Sequence, residues 1–221
     1  MRSGAAELSL KTGLQTADIN IVLKNLNPDI EIFKKGQVIM SPSSNHDSLG
    51  LVLRGTVFLE GENEAADRRI VDYFEIGEIF GIHMLPSLEE TVCYAVSKRP
   101  CTVAFINYHE LLEYCAANQS DTVCIMDYLF SGLERKALAH AYILQQRTLR
   151  EKILLYFSCL RQEYGADHFT LPMPFTDLAD YLSADRSALM REVKKLNDEG
   201  IIQSDRRKII LPASKKTDFF P

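Results

Sequence analysis

The stretch from Phe175 to Gly200 constrains this chain most. It reads as two helices around a tight turn. The first is short, Thr176 to Leu182, with Leu178, Ala179 and Leu182 on one face. Ser183 and Ala184 make the turn. Asp185 follows where an N-cap belongs, because its carboxylate can accept from the free N–H groups of the next turn. The second helix runs from Arg186 to about Glu199, with Leu189, Val193 and Leu196 at helical spacing, and Gly200 closes it. Ala179 is small where two helices must cross closely. Two apolar runs, Ile201–Ser204 and Lys208–Leu211, then flank Asp205-Arg206-Arg207 as a hairpin. The unit is a helix-turn-helix with a wing, a pattern whose second helix enters the DNA major groove.

The 221 residues leave room for more than this unit. From about Asp29 to Asn107 the pattern changes to short strands: Ile30–Phe33, Gln37–Met40, Leu49–Leu53, Thr56–Leu59, Ile70–Phe74, Val92–Val96 and Thr102–Ile106. Turn signals separate them, among them Lys35-Gly36, Arg54-Gly55 and Arg99-Pro100. Many closely spaced strands predict an antiparallel β-roll or jelly roll. Ile79 to Leu85 is expected to interrupt it as a short helix. Residues 8 to 27 predict one or two helices ahead of the first strand. The fold class is therefore α+β.

Residues 108 to 117 predict a helix, and 121 to 146 a longer one that carries the chain to the hinge Gln145–Thr148. Along it Met126, Leu129, Leu133, Ala137, His140 and Leu144 recur at spacings of three and four. That stripe either pairs with a second copy of the chain or covers the β-roll. Dimerisation is the favoured reading, since a helix-turn-helix reads two half-sites. The expected organisation is a sensor domain over 1–120, a dimerisation helix and hinge over 121–146, and a winged helix-turn-helix domain over 147–221.

Composition narrows the function. The net charge of −5 argues against broad coating of nucleic acid but leaves room for a local basic surface. The five cysteines, Cys93, Cys101, Cys115, Cys124 and Cys159, are odd in number and lack a C-x-x-C pair, so neither a disulfide framework nor a zinc knuckle is expected. They read as buried apolar fillers, with redox sensing the minor alternative. No nucleophile–base pair, H-E-x-x-H or phosphate-cradling glycine loop points to an enzyme. No apolar run approaches the roughly 20 residues that span a bilayer, and Met1 to Ala6 lack the apolar core of a signal peptide. The expected location is the cytoplasm, without a membrane partner.

The order of strands, long helix and winged helix-turn-helix resembles the CRP/FNR family, the cyclic-AMP receptor protein and fumarate–nitrate reductase regulator type of bacterial transcription factor. The resemblance rests on Phe33-Lys34-Lys35-Gly36-Gln37-Val38-Ile39, Val52-Leu53-Arg54-Gly55-Thr56-Val57, Gly77-Glu78-Ile79-Phe80-Gly81, and the block from Leu178 through Arg191 to Glu199-Gly200-Ile201-Ile202. It implies a homodimer on a two-fold symmetric double-stranded DNA site. It also implies RNA polymerase as a partner, and an effector in the β domain that acts through the long helix.

Arg186 and Arg191 are the first candidates for base contacts, because a guanidinium can fork onto guanine O6 and N7. Ser187 can reach a base or a phosphate. Lys194, Lys195, Arg206, Arg207 and Lys208 are expected on phosphates, which position without specifying. Many family members carry Glu where this chain has Ser187, so the usual half-site is not implied.

The effector reading is mostly by absence. Members that bind cyclic nucleotide carry a Glu for the ribose and an Arg-Ser pair for the phosphate, whereas Ile82 and Thr91-Val92 stand at those places here. A phosphate buried without such partners is costly, so cyclic AMP is not expected. No cysteine precedes Cys93, which removes the iron–sulfur reading. What remains is a more apolar pocket of Ile82, His83, Thr91, Val92 and Cys93, with Arg135 and Lys136 at its mouth. No cofactor is expected as such. Haem or another apolar ligand is one reading, with His83 as axial ligand, although a plain surface or core histidine is simpler. An effector-free protein is another. The alternative for the whole chain is a ligand- or redox-sensing module whose DNA binding is weak or vestigial.

Overall fold

In the computed structural model, residues 25–41, 47–62, 68–81 and 93–212 are described. Among the described residues the alternation of the N-terminal half becomes eight strands: β1 (Asp29–Phe33), β2 (Val38–Met40), β3 (Ser48–Arg54), β4 (Val57–Glu62), β5 (Arg68–Phe74), β6 (Ile79–Phe80), β7 (Cys93–Val96) and β8 (Cys101–Asn107). They pair antiparallel in two four-stranded sheets, ordered β1-β8-β3-β6 and β2-β7-β4-β5. The period of two then sorts the side chains. On β8, Cys101 and Val103 enter a core shared with Val52, Phe80, Leu59, Phe74 and Ala95, so the two sheets face each other. Ala104 and Ile106 point the other way, with Leu49 and Leu51 of β3.

One expected helix is a strand. Ile79 and Phe80 pair with Leu51 and Gly50 of β3, Gly81 follows outside any helix, and residues 82–85 of the predicted Ile79–Leu85 helix lie outside the described residues, as do residues 8 to 24. Gly50 is what admits the Phe80 ring: a Cβ built there would meet Phe80 Cζ at 2.3 Å. Gly50→Ala is therefore expected to destabilise the protein by about 1–3 kcal/mol, the usual result of overpacking a filled core. Thermal unfolding reads this out, and an unchanged Tm would refute it.

Two helices close the outer face of the first sheet. α1 (Tyr108–Ala117) starts on Asn107, whose side chain accepts from the N–H groups of His109 and Glu110. α2 runs from Gln119 to Leu144. Leu111 and Cys115 of α1 and Ile125 of α2 are buried against Leu49, Leu51, Ala104 and Ile106, with Met126 and Leu129 partly buried beside them. The α1–α2 corner is tied by the Tyr114 hydroxyl, which donates to Asp121 Oδ2 at 2.5 Å, and by Thr122 Oγ1, which donates to the Cys115 carbonyl at 2.6 Å.

The chain forms two compact units, Met1–Gly132 and Leu133–Pro221, divided within α2. The second unit contains the end of α2, then α3 (Leu149–Tyr164), β9 (His168–Thr170), α4 (Phe175–Tyr181), α5 (Arg186–Asp198), β10 (Gln203–Asp205) and β11 (Lys208–Ile210). The helices break at 145–148, where the hinge is expected, and Thr148 caps α3 in a reciprocal capping box with Glu151. Ile153, Phe157 and Leu160 of α3 pack into the core of this unit with Leu178, Leu182, Leu189, Leu196 and Ile209, all essentially without solvent contact. The three short strands form one sheet, β10-β11-β9.

Candidate nucleic-acid interface

The local sequence seats α4 and α5 as expected. Leu178, Ala179 and Tyr181 are buried on α4, and the turn closes with the Ala184 N–H donating to the Ala179 carbonyl at 2.9 Å. Ser183 takes a left-handed conformation there, at φ 52°. Asp185 is the N-cap of α5. Its Oδ1 accepts from the Ala188 N–H at 2.9 Å and from the Ser187 hydroxyl at 2.5 Å. At the other end, the Gly200 N–H donates to the Asn197 carbonyl and the Ile201 N–H to the Leu196 carbonyl, both at 2.9 Å. This is a Schellman closure, and it requires the left-handed φ of 65° that Gly200 supplies.

The hydrogen bond from Ser187, more than any other influence, holds the Asp185 carboxyl below its ordinary value of 3.8; the Ala188 N–H adds to it. A carboxyl lowered in the folded state stabilises above its unfolded pKa, and that contribution is lost as pH falls through the folded value. Asp185→Asn keeps a capping acceptor that does not titrate, so the acid limb of Tm against pH below about 4 becomes shallower. Asp185→Ala removes the cap and lowers Tm at pH 7 by about 2–4 °C. An acid limb identical in Asp185→Asn and the parent would contradict this assignment.

Once Leu189, Val193 and Leu196 are turned inward, the opposite face of α5 is fixed. Arg186, Ser187, Met190, Arg191, Lys194 and Lys195 are exposed on it. The guanidinium of Arg186 lies 3.3 Å from Asp180 Oδ2 of α4. Asn197 anchors the helix to the wing, with its Oδ1 accepting from the Ser204 N–H and its Nδ2 donating to the Ser204 hydroxyl, both at 2.8 Å. Arg150 of α3 braces the same helix from behind, on Glu199 and on Glu192 Oε1 at 3.3 Å.

The wing is a two-residue loop between Asp205 and Lys208, which pair directly. Arg206 stands exposed at its tip with φ 53°, and Lys208 is exposed beside it. Arg207 departs from expectation. It is half-buried, and its Nη1 donates to the Leu171 carbonyl at 3.1 Å. This donor ties the wing to the segment after β9.

The expected seam along α2 is not one free face. Met126 and Leu129 turn to their own β domain. His140 is half-buried, stacked on Tyr181 with centroids 3.9 Å apart, and its Nε2 donates to the Tyr181 carbonyl at 3.0 Å. Ala137 and Leu144 are exposed, and the side chain of Leu133 lies outside the described residues. The large apolar residues that α2 leaves most exposed among those described are Val123 at 71%, Leu138 at 63% and Tyr142 at 50%. The sequence reading missed all three.

Of the expected effector pocket, Ile82, His83, Thr91 and Val92 lie outside the described residues. Arg135 is within α2 without a described side chain, and Lys136 is half-buried. Cys93 belongs to the core between the sheets, where burial pushes its thiol up. Burial also pushes the thiols of Cys101 and Cys159 to about 11. Such thiols hold little thiolate at neutral pH, which suits packing more than redox chemistry. Among the described residues no helix is long and apolar enough to cross a membrane.

The known proteins fit this geometry. Residues 30–118 match the cyclic nucleotide-binding domain, and residues 142–216 match the Crp-like helix-turn-helix domain. No curated protein matches the sequence. Among solved structures, the chain is similar to FixK2 from Bradyrhizobium japonicum, with 19% identity over 83% of this chain and 92% of that one and a TM-score of 0.69. It is similar to the c-di-GMP responsive global regulator CLP of Xanthomonas campestris, with 18% identity over 90% and 100% of the two chains and a TM-score of 0.67. A CooA mutant from Carboxydothermus hydrogenoformans gives 14% identity, coverage of 92% and 94%, and a TM-score of 0.72. With a cyclic nucleotide-binding domain joined to a Crp-like helix-turn-helix in one chain, the protein belongs to the CRP/FNR family of transcription regulators.

Proposed function

We propose that the protein works as a homodimer that recognises a two-fold symmetric DNA site and is controlled through its β domain by an effector other than cyclic AMP. The observation that carries the DNA reading is the outward face of α5, where Arg186, Ser187, Arg191, Lys194 and Lys195 are exposed on a helix capped at both ends. Arg186 and Arg191 supply base contacts; Lys194, Lys195, Arg206 and Lys208 supply phosphate contacts. In this reading the apolar residues α2 leaves in water, Val123, Leu138 and Tyr142, meet a second copy.

The case against cyclic AMP rests on Ile82, which offers a ribose no carboxylate, and on Thr91-Val92, which offer a phosphate a single hydroxyl and no guanidinium. The shared fold does not dictate the ligand either: CLP is c-di-GMP responsive, and the similar structure of CprK is complexed with OCPA. The reading places the protein in the cytoplasm, with RNA polymerase as its further partner. One observation favours a second reading with weak DNA binding, namely that Asp180 engages Arg186.

Selection of genomic fragments by the purified protein at near-physiological salt tests the proposal. A symmetric motif with half-sites about one helical turn apart is the expected result. Selection without enrichment, repeated with cell extract to supply an effector and again blank, would favour the second reading.

A further inference from the structure

Met190 is not among the residues that bury α5. The buried stripe of that helix is Leu189, Val193 and Leu196, and Met190 lies off it with half its surface in water. Its neighbours one turn away are Arg186 and Ser187 on one side and Lys194 on the other, with Arg191 adjacent, all exposed. An apolar side chain thus stands inside a cluster of cations, on the face that the proposed function turns toward DNA.

We infer that Met190 is a specificity residue that packs on the 5-methyl group of a thymine in the major groove. The surrounding cations select a polyanion as occupant, and the thymine methyl is the apolar feature that the major groove of duplex DNA presents. A methionine suits it, being unbranched and polarisable and able to settle on a small apolar group. One helical turn advances about 5.4 Å and one base step about 3.4 Å. The thymine therefore lies one or two base pairs from the guanine read by Arg186 or Arg191. This inference rests on the DNA-binding reading above and adds a base to it.

The test uses the full-length protein and synthetic duplexes carrying the selected site. Each thymine of a half-site is replaced in turn by uracil, which removes the methyl and keeps every hydrogen-bonding group. The expected result is one position at which the change, made in both half-sites, weakens wild-type binding about 5- to 20-fold, as loss of two apolar contacts should. Met190→Ala binds the unmodified site more weakly by a similar factor and is indifferent to uracil at that position. Its exposure predicts an unchanged Tm, so folding does not confound the comparison. If wild-type binding tolerates uracil at every thymine, or if Met190→Ala stays as sensitive as wild type, the inference is wrong while sequence-specific binding stands. If no site can be selected at all, the DNA-binding reading and this inference fall together.

Discussion

Arg186→Ala combined with Arg191→Ala is expected to lower affinity for the selected site about a thousandfold or more. Each bidentate contact to guanine is worth about 1–3 kcal/mol of discrimination, and a dimer would lose four of them. Non-specific binding falls far less, because it depends on phosphate neutralisation. The dependence of binding on salt should therefore change little in this variant. Lys194→Ala with Lys195→Ala behaves in the opposite way, weakening all sequences alike and making the salt dependence shallower. Folding is not at issue, since Arg186 keeps 65% of its side-chain surface in water and pairs there with Asp180. That partner also makes a prediction of its own kind: Asp180→Asn removes a competitor for the guanidinium and tightens specific binding. Affinity is read by titration of a labelled duplex against a scrambled one. A double variant that still prefers the selected site by the parental factor would remove Arg186 and Arg191 from the base-reading set.

The helix-turn-helix was legible because its signals are local. Asp185, the Leu189–Val193–Leu196 stripe and Gly200 each act within one or two turns, and each sits where the sequence placed it. The same stripe already put Met190 outward; the sequence reading attended to charge and overlooked it. Arg206 and Arg207 are adjacent cations in a two-residue loop, and composition cannot separate them. The Leu171 carbonyl that holds Arg207 arrives from a segment 36 residues away. Ile79-Phe80 failed for a different reason. Two apolar residues between glycines show no period, and their pairing is decided by Gly50, which leaves space for the Phe80 ring. In the effector region, residues 82–92 lie outside the described structure, so their reading rests on residue types alone.

The long helix shows the limit of periodicity most clearly. Residues 119–144 carry apolar side chains on more than one face, so spacings of three and four fit several stripes. The choice is made by the outer face of the first sheet, where Leu49, Leu51, Ala104 and Ile106 need cover and take Ile125, Met126 and Leu129. Nor does the sequence show that His140 has an aromatic partner, since Tyr181 is 41 residues away.

Leu138→Glu is expected to convert the proposed dimer to a monomer at micromolar concentration. Leu138 and Tyr142 lie one turn apart on the same face of α2, both half or more exposed in the single chain. Two copies that cover these residues would place two new carboxylates in an apolar contact. Burying a charge without a partner costs several kcal/mol each time, so the dissociation constant rises on the order of a thousandfold or more. Sedimentation velocity across a concentration series reads the mass directly. Tm extrapolated to low protein concentration stays near the parental value, because Leu138 packs little within its own chain. Met126→Glu is the informative contrast. Met126 is partly buried against the β domain, so that change lowers Tm first. The two variants thus separate a seam through Leu138 and Tyr142 from the stripe of Met126, Leu129, Leu133, Ala137, His140 and Leu144 read from spacing. A Leu138→Glu protein that remains dimeric, beside a Met126→Glu protein that is monomeric with an unchanged Tm, would restore the original stripe. Loss of the dimer also predicts loss of symmetric-site binding with each winged helix intact: half-site affinity persists, and only the coupling between half-sites disappears.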